Sequence, residues 1–512
     1  MTTMGSAVFG RRALLGGAVG GFSLAALAAC GAGGGGSGTT RLAVAYEGSG
    51  AAETMDPGVG PQFIDEARAK HVFDGLFEAD SQMRPVARLA ESAEADARGT
   101  RWRVRLRDAR WHDGTALTAD DVLYTLGRIL GKQQTARPMI AKSTLSAVDA
   151  SACRAVDART VEIVLREPAF DLPSRLTAYG TRIVKKGATD FAHPVGTGAF
   201  RFERFTPGRE LVVRRFDGHW GGAAAVDELR ILSAGADARL AALRSGQIDF
   251  ADDLSASAAA TARGTAGRAV HATPNSGILY FAMKTQQAPF RDPDVRRAMM
   301  LLVDRDELVK VALEGAGEVG DDVFGRGYQY YASDLPAHRH DPDAAAALLR
   351  KAGVTSLRFE LFVAPVANGL VEAARLFAKQ ARAAGVTVDV TEGSKDTYYT
   401  DYYKRGDMVV GQSGPLAIPY HFGSRLLTGA SKNVTQWADP EFDASYRRAQ
   451  AASSEQERAA IYHGMHETLH DRGGYIFWAT TPWTVGYRAG LTGVPTGVPN
   501  SLDWARFDRT RA

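Results

Sequence analysis

The sequence has little that would tie it down covalently, and its charge leans to neither sign. Two cysteines, Cys30 and Cys153, occur in 512 residues, which excludes a disulfide scaffold. Sixty-one Lys and Arg face 58 Asp and Glu. A balance this even gives no reason to expect a nucleic-acid partner. After the first thirty residues no apolar run is long enough to cross a bilayer. What is present is ordinary globular composition, 45% hydrophobic and 23% charged, which excludes a disordered or fibrous chain. The length corresponds to about two to four domain-sized units.

The N-terminus carries Arg11-Arg12 before a Gly-rich, uncharged stretch that ends Leu27-Ala28-Ala29-Cys30. A charged start followed by a short apolar run predicts a leader rather than a spanning helix. The paired arginines resemble a twin-arginine export signal, and the ending resembles a lipobox, where cleavage leaves a cysteine that receives lipid. The expectation is a leader over 1–29, lipid on Cys30, and a Gly/Ser tether over 30–40. Cys153 then has no partner and reads as a small buried residue.

Local signals are clear in the body. Trp102, Val104 and Leu106 alternate between arginines, as do Val161, Ile163 and Leu165, and both runs predict strands. Leu211 to Val213 is a third. Thr118 with Asp121 is a capping-box pattern ahead of Val122, Leu126, Ile129 and Leu130. Asp292-Pro293, Asp341-Pro342 and Asp439-Pro440 each read as an N-cap acid with proline at the first helical position. A helix after Asn368 is expected to stop at Gly385 and hand over to a strand over 386–390. Mixed α/β or α+β lobes follow from this alternation.

An ordered series of blocks then carries a family resemblance. It includes Met55-Asp56-Pro57, Ala90-Glu91-Ser92, Trp111-His112-Asp113-Gly114, Leu117 to Val122 and Val195 to Phe200. His219-Trp220-Gly221-Gly222, Arg239 to Asp249, and Asp294 to Ala298 with Asp304-Arg305 continue it. The chain resembles the family 5 extracellular solute-binding proteins, the dipeptide- and oligopeptide-binding receptors of ABC importers. The resemblance implies a type II periplasmic-binding fold in its large family 5 form, a monomer needing no cofactor or catalytic residue. It implies lobe I over 41–274 plus 480–512, lobe II over 275–479, and crossings near Thr273 to Ser276 and Ala479 to Pro482. Its partners would be a peptide or other small solute, the permease subunits, and the membrane through the lipid anchor.

One segment departs from the pattern. Peptide-binding members pair the peptide's amino group with an acid in a Gly-Trp-rich segment, since a carboxylate accepts charge-assisted hydrogen bonds from an ammonium. Here the corresponding run is Gly411 to Phe422, with Pro415 where the acid is expected and Gln412 where tryptophan is expected. The nearby acids fall on Ile418 and Tyr420, and the run contains no carboxylate. Gln412, Ser413, Pro415 and Tyr420 are therefore candidate ligand contacts for a neutral, sugar-like, opine-like, blocked or modified solute. The other reading keeps a peptide and takes the acid from another loop, Asp396 or Asp401. Aromatic candidates are Tyr398 among Tyr399, Tyr402 and Tyr403, with Tyr280 and Trp478 beside the crossings and Trp483 nearby. For each ring, core packing is the commoner role.

Three further motifs compete with this reading. His466-Glu467-Thr468-Leu469-His470 has the spacing of a zinc hydrolase helix, but a third histidine or a downstream glutamate is missing. Its bland alternative is a helix begun by Ser454 and Glu457, burying Ile461, Met465 and Leu469. Gly315 to Gly320 matches a dinucleotide fingerprint letter by letter but follows an expected helix, Asp306 to Leu313, and reads as a loop. Gly411-Gln412-Ser413-Gly414 lacks the glycine spacing of a nucleophile elbow. A sensor on the same fold remains the alternative to an importer component.

Overall fold

Two long strands, Arg268–Met283 and Tyr475–Arg488, run antiparallel through the middle of the main sheet. A computed structural model describes residues 39–48, 50–131, 137–395 and 397–511. The leader, Cys30, all of the tether but Thr39 and Thr40, and Asp396 lie outside the described residues. From one edge the sheet runs Val386–Glu392, Leu357–Val363, Met408–Ser413, then the two long strands. It continues through Phe250–Ala251, Arg41–Tyr46, Glu228–Ser233, Glu210–Arg215 and Phe200–Thr206. A separate four-stranded sheet contains Ala90–Ala95, Arg101–Leu106, Thr160–Val164 and Arg154–Asp157. Among the described residues no helix is long and apolar enough to cross a membrane.

The ladder between the long strands is interrupted twice, and a one-residue shift at Trp478 on the second strand follows the larger break near the middle. Thr273 pairs with Trp483, and pairing resumes at Gly277 with Thr481, so the first strand carries two extra residues. The detour is fixed by Asn275 at φ +51°, whose side-chain oxygen accepts from Thr480 Oγ1 at 2.8 Å. Its carbonyl accepts from the Tyr328 hydroxyl at 2.8 Å, and Ser276 Oγ donates to Thr273 O at 2.9 Å. The apolar interior divides at the same place. One large cluster collects Ile278 to Met283 with residues out to Ala479, including Phe377, Val410, Phe422 and Trp478, and reaches across to Ala79, Met83 and Val498. On the other side lie clusters around Val44, Phe200 and Trp504, and around Trp102, Trp111 and Ile163.

Helix starts follow the local chemistry read from the sequence. The three Asp-Pro pairs begin Pro293–Leu302, Pro342–Lys351 and Pro440–Ala451, with each aspartate accepting first-turn N–H groups. Thr118 and Asp121 form their reciprocal box at the start of Ala119–Leu130. The helix after Asn368 is α-helical only over Leu370–Ala381, then tightens into a 3₁₀ turn before Gly385 at φ +74°. The following strand extends to Glu392. Cys153 is half-buried, its thiol 3.2 Å from Asp149 O.

The C-terminal segment is bound to the first helix region by buried ions. Arg182 donates to Glu66 and, at 3.0 Å, to Glu78, while Arg506 donates to Glu78 at 3.0 Å. Lys70 donates to Trp504 O at 3.1 Å. Burial pushes the Glu78 carboxyl up, but Arg506, Lys70 and Arg182 outweigh it and hold it at about 2. The folded value lies below the ordinary one of about 4.3, so this contribution to stability is complete above that pH. It is lost as the pH falls towards 2. Denaturant unfolding should therefore weaken across that window, and Glu78→Gln should cost about 3 kcal/mol at pH 7 and flatten the acid dependence. An unchanged acid profile in the variant would count against the network.

Candidate functional site

The run Gly411 to Phe422, where the sequence led us to expect ligand contacts, sits at the larger break in the ladder. Strand Met408–Ser413 pairs with the first long strand so that Ser413 faces Ile278, Gln412 faces Leu279 and Gly411 faces Tyr280. The chain then turns through Gly414 and Pro415 into helix Ile418–Arg425, with Pro419 in its first turn. Asn275, Phe324, Tyr328, Ser413, Pro415 and Thr480 are among the residues enclosing a void of about 10 Å³, room for roughly one water.

The opposite wall comes from the other side of the division. Asn500 Nδ2 donates to Pro415 O at 2.7 Å, and the Tyr179 hydroxyl donates to Asn500 Oδ1. Phe63 packs at a tilt against Trp483 with ring centres 5.1 Å apart, and a Cβ added to Gly414 would lie 3.4 Å from the Phe63 ring. Trp483 Nε1 donates to Asp252 Oδ1 at 2.9 Å. Burial, and then the charge of Asp253, push the Asp252 carboxyl well above its usual range. Farther out, Phe170 N–H donates to Gln450 O and Gln329 N–H to Gln82 O, both at 2.8 Å.

The residues singled out in the sequence separate into three groups. Ser413 and Pro415 are buried at the void, and exposed Gln412 donates to Val366 O at 3.3 Å beside it. Tyr280 is buried with its hydroxyl 2.5 Å from that of Tyr403, and Tyr420 is half-buried on the helix that follows. Tyr398 and Trp478 are enclosed in the larger core. The Tyr398 hydroxyl lies 3.0 Å from Phe362 O and 2.8 Å from Val410 O, and Trp478 stacks on Phe281. Asp401 is exposed.

Sequence reasoning did not reach Arg425, Tyr475, Asn500, Tyr179 or Phe63. A cation in the last turn of a helix reads as ordinary dipole compensation, and the partners of the others come from distant segments. Tyr280, Tyr403, Tyr420 and Tyr475 lie near enough to the Arg425 guanidinium to act on it electrostatically. Its Nε is buried without a hydrogen-bond partner, and the Tyr475 hydroxyl is buried beside the guanidinium.

The zinc-like motif is taken apart by its surroundings. Ser454 caps helix Glu455–Arg472, whose buried residues are Arg458, Tyr462, Met465 and His466, a stripe turned from the expected one because Ile461 and Leu469 are only half-buried. His466 packs edge-on against Phe422 at 4.9 Å, and burial pulls its imidazole down to about 3, keeping it neutral. His470 stacks on His338 at 4.1 Å, and its Nε2 donates to Pro336 O. Among the described residues no three His, Cys, Asp or Glu side chains come together as a metal site. Gly315 to Gly320 is not wholly loop as expected, since Glu318–Val319 pairs with Thr480 and Ala479 on the second long strand. Elemental analysis of the purified chain should find no stoichiometric zinc, and His466→Ala should leave the metal content unchanged. One zinc per chain, lost in the variant, would reverse that expectation.

Comparison with known proteins agrees with this geometry. The family model described as bacterial extracellular solute-binding proteins, family 5 middle, matches residues 84–433. The glutathione-binding protein of Pectobacterium atrosepticum is 24% identical over 460 residues, covering 84% of this chain and 85% of that protein. The dipeptide-binding protein of Escherichia coli is 24% identical over 424 residues, covering 75% and 78%. Among solved structures, the ABC transporter-associated binding protein DppA of Helicobacter pylori, in complex with the peptide STSA, superposes with TM-score 0.78 at 18% identity, covering 92% and 98%. The binding protein AgaA of A. tumefaciens R10, in complex with agropinic acid, gives TM-score 0.76 at 24% identity, also covering 92% and 98%. With its mixed α/β fold and a match across most of its length, this chain belongs to the family 5 bacterial extracellular solute-binding proteins.

Proposed function

We propose that this chain is the solute-capturing component of an ABC importer, tethered outside the cytoplasm by lipid on Cys30, and that its solute carries no free α-amino group. In this reading residues 41–274 with 480–512 form one lobe and 275–479 the other. The two long strands are the hinge, and the solute is held between Gln412 to Pro415 with Tyr420 on one side and Phe63, Trp483 and Asn500 on the other. The delivered solute passes to a permease with cytoplasmic ATPases. The observation that carries the reading is the placement of Gly414-Pro415 at the larger break in the ladder, in contact with Asn500 and facing Phe63.

The division of the apolar interior at that same place supports two bodies able to move as units. The chemistry of the segment supports the limit on the solute. An ammonium brought against Pro415 would meet one carbonyl already accepting from Asn500 and no carboxylate in the run. An uncompensated buried charge costs several kcal/mol, which is most of a micromolar binding energy of about 8 kcal/mol. Relatives named for glutathione, dipeptides and agropinic acid support a family site that takes both peptides and other polar solutes.

Calorimetric titration with unmodified dipeptides, N-acetylated peptides, oligosaccharides and opines tests the proposal. The best blocked or non-peptide solute should bind at least about tenfold more tightly than any unmodified dipeptide, with X-ray scattering showing compaction on binding. Tight binding of free dipeptides would refute the limit on the solute. Failure of any small solute to bind would refute the receptor reading itself.

A further inference from the structure

Arg425 closes the helix Ile418–Arg425, and its surroundings differ from those of the carboxylate-paired arginines and from those of Arg296, which is buried without an ion pair but donates to the carbonyls of Phe290, Arg291 and Arg472. Arg68 is paired with Glu53 at 2.6 Å, Arg305 with Asp322 at 2.5 Å, and Arg506 with Glu78 at 3.0 Å. Arg182 holds both Glu66 and Glu78. Among the described residues no carboxylate forms an ion pair with Arg425, and its neighbours are the tyrosines 280, 403, 420 and 475. Burying a guanidinium without a counter-charge is unfavourable by several kcal/mol unless something else supplies the negative charge.

The cluster is rich in hydrogen-bond donors and short of acceptors. Arg425 Nε is buried without a hydrogen-bond partner, and the buried Tyr475 hydroxyl has the Arg425 guanidinium beside it, which can only donate. The Tyr280 and Tyr403 hydroxyls lie 2.5 Å apart, so one donates to the other and the second proton is left over. The ring of Tyr280 is held edge-on to Tyr475 at 5.0 Å, and a Cβ on Gly411 would come within 2.7 Å of its hydroxyl. Glycine at 411 therefore keeps that hydroxyl in place. The cluster has an open side, where Tyr399 is 46% exposed and Tyr420 and Arg425 are half-buried. There exposed Lys432 adds a second cation 5.9 Å from the Tyr420 ring centre. Helix-dipole compensation accounts for a cation at this helix end, but not for a buried N–H with nothing to bond.

We infer that Arg425, framed by the hydroxyls of Tyr280, Tyr403, Tyr420 and Tyr475, is an anion subsite that receives a carboxylate of the solute. The inference rests on the receptor reading above and narrows it. A carboxylate is planar and presents two oxygens to the guanidinium fork, with lone pairs left for the tyrosine hydroxyls. The solute class is then an acid whose nitrogen is blocked or absent.

Matched pairs of probes test this on the full chain: N-acetyl-dialanine against its C-terminal amide, and galacturonate against galactose, within the broader solute set. Each acid should bind at least about tenfold more tightly than its neutral mate. Arg425→Gln should erase the difference, Arg425→Lys should restore part of it, and Tyr420→Phe should weaken the acids a few-fold while leaving the neutral mates unchanged. The comparison within wild type decides the matter even if a variant fails to fold. Neutral members binding as tightly as acids, or a preference that survives in Arg425→Gln, would overturn the subsite and leave the receptor standing. Binding of neither kind would overturn both.

Discussion

The hydrogen-bonded ladder between Arg268–Met283 and Tyr475–Arg488 is the constraint on which the rest of the molecule depends. It is the seam where the apolar interiors meet, and its larger break takes the backbone groups of Pro274, Asn275 and Ser276 out of the pairing, beside a void that Asn275 helps to line. An uninterrupted ladder would satisfy those groups internally. The detour instead hands them to side chains, with the Asn275 carbonyl taken by Tyr328 and its amide oxygen by Thr480. Polar groups held by side chains can exchange partners when a solute arrives, whereas a strand ladder resists it.

Charge is handled differently on the two sides of that seam. Beside the first helix, Glu78 and Asp74 are deeply buried, yet Arg182, Arg506 and Arg88 surround them and favour their ionised forms. That network is closed: cations and carboxylates occur together, and it joins segments more than 400 residues apart. Around Arg425 the cation is present and the carboxylate is not. The contrast separates a closed network that holds the fold together from one that, on the proposed reading, is completed by a guest.

Much of the architecture could be read because it is set locally. Asp292, Asp341 and Asp439 each cap a helix through contacts within three residues, and Thr118 with Asp121 does the same. The alternation of Trp102, Val104 and Leu106 survives in a strand whose burial alternates in step. Facing was less legible. Trp478 lies beside a crossing in sequence, but strand side chains alternate between faces, and its ring lies in the core against Phe281. His466 and His470, four residues apart, still meet different neighbours, Phe422 and His338. The tyrosines around Arg425 come from four separate segments, so no spacing in the sequence could bring them together.

On the proposed reading, Pro415 and Arg425 make chemical sense as a pair. Replacing an acid by Pro415 removes the counter-charge for an ammonium, and by itself that would leave a weaker peptide site. Arg425, ten residues on and unbalanced by any carboxylate in the same stretch, reverses the sign of the region. A zwitterionic peptide would then be attracted at one end and stranded at the other. Because desolvating an unpaired ammonium offsets what the carboxylate gains, discrimination between a free and a blocked nitrogen arises from the cost of burial, with no steric gate required. Pro415 strengthens that effect, since it has no N–H to bring in a compensating water and its carbonyl is engaged by Asn500.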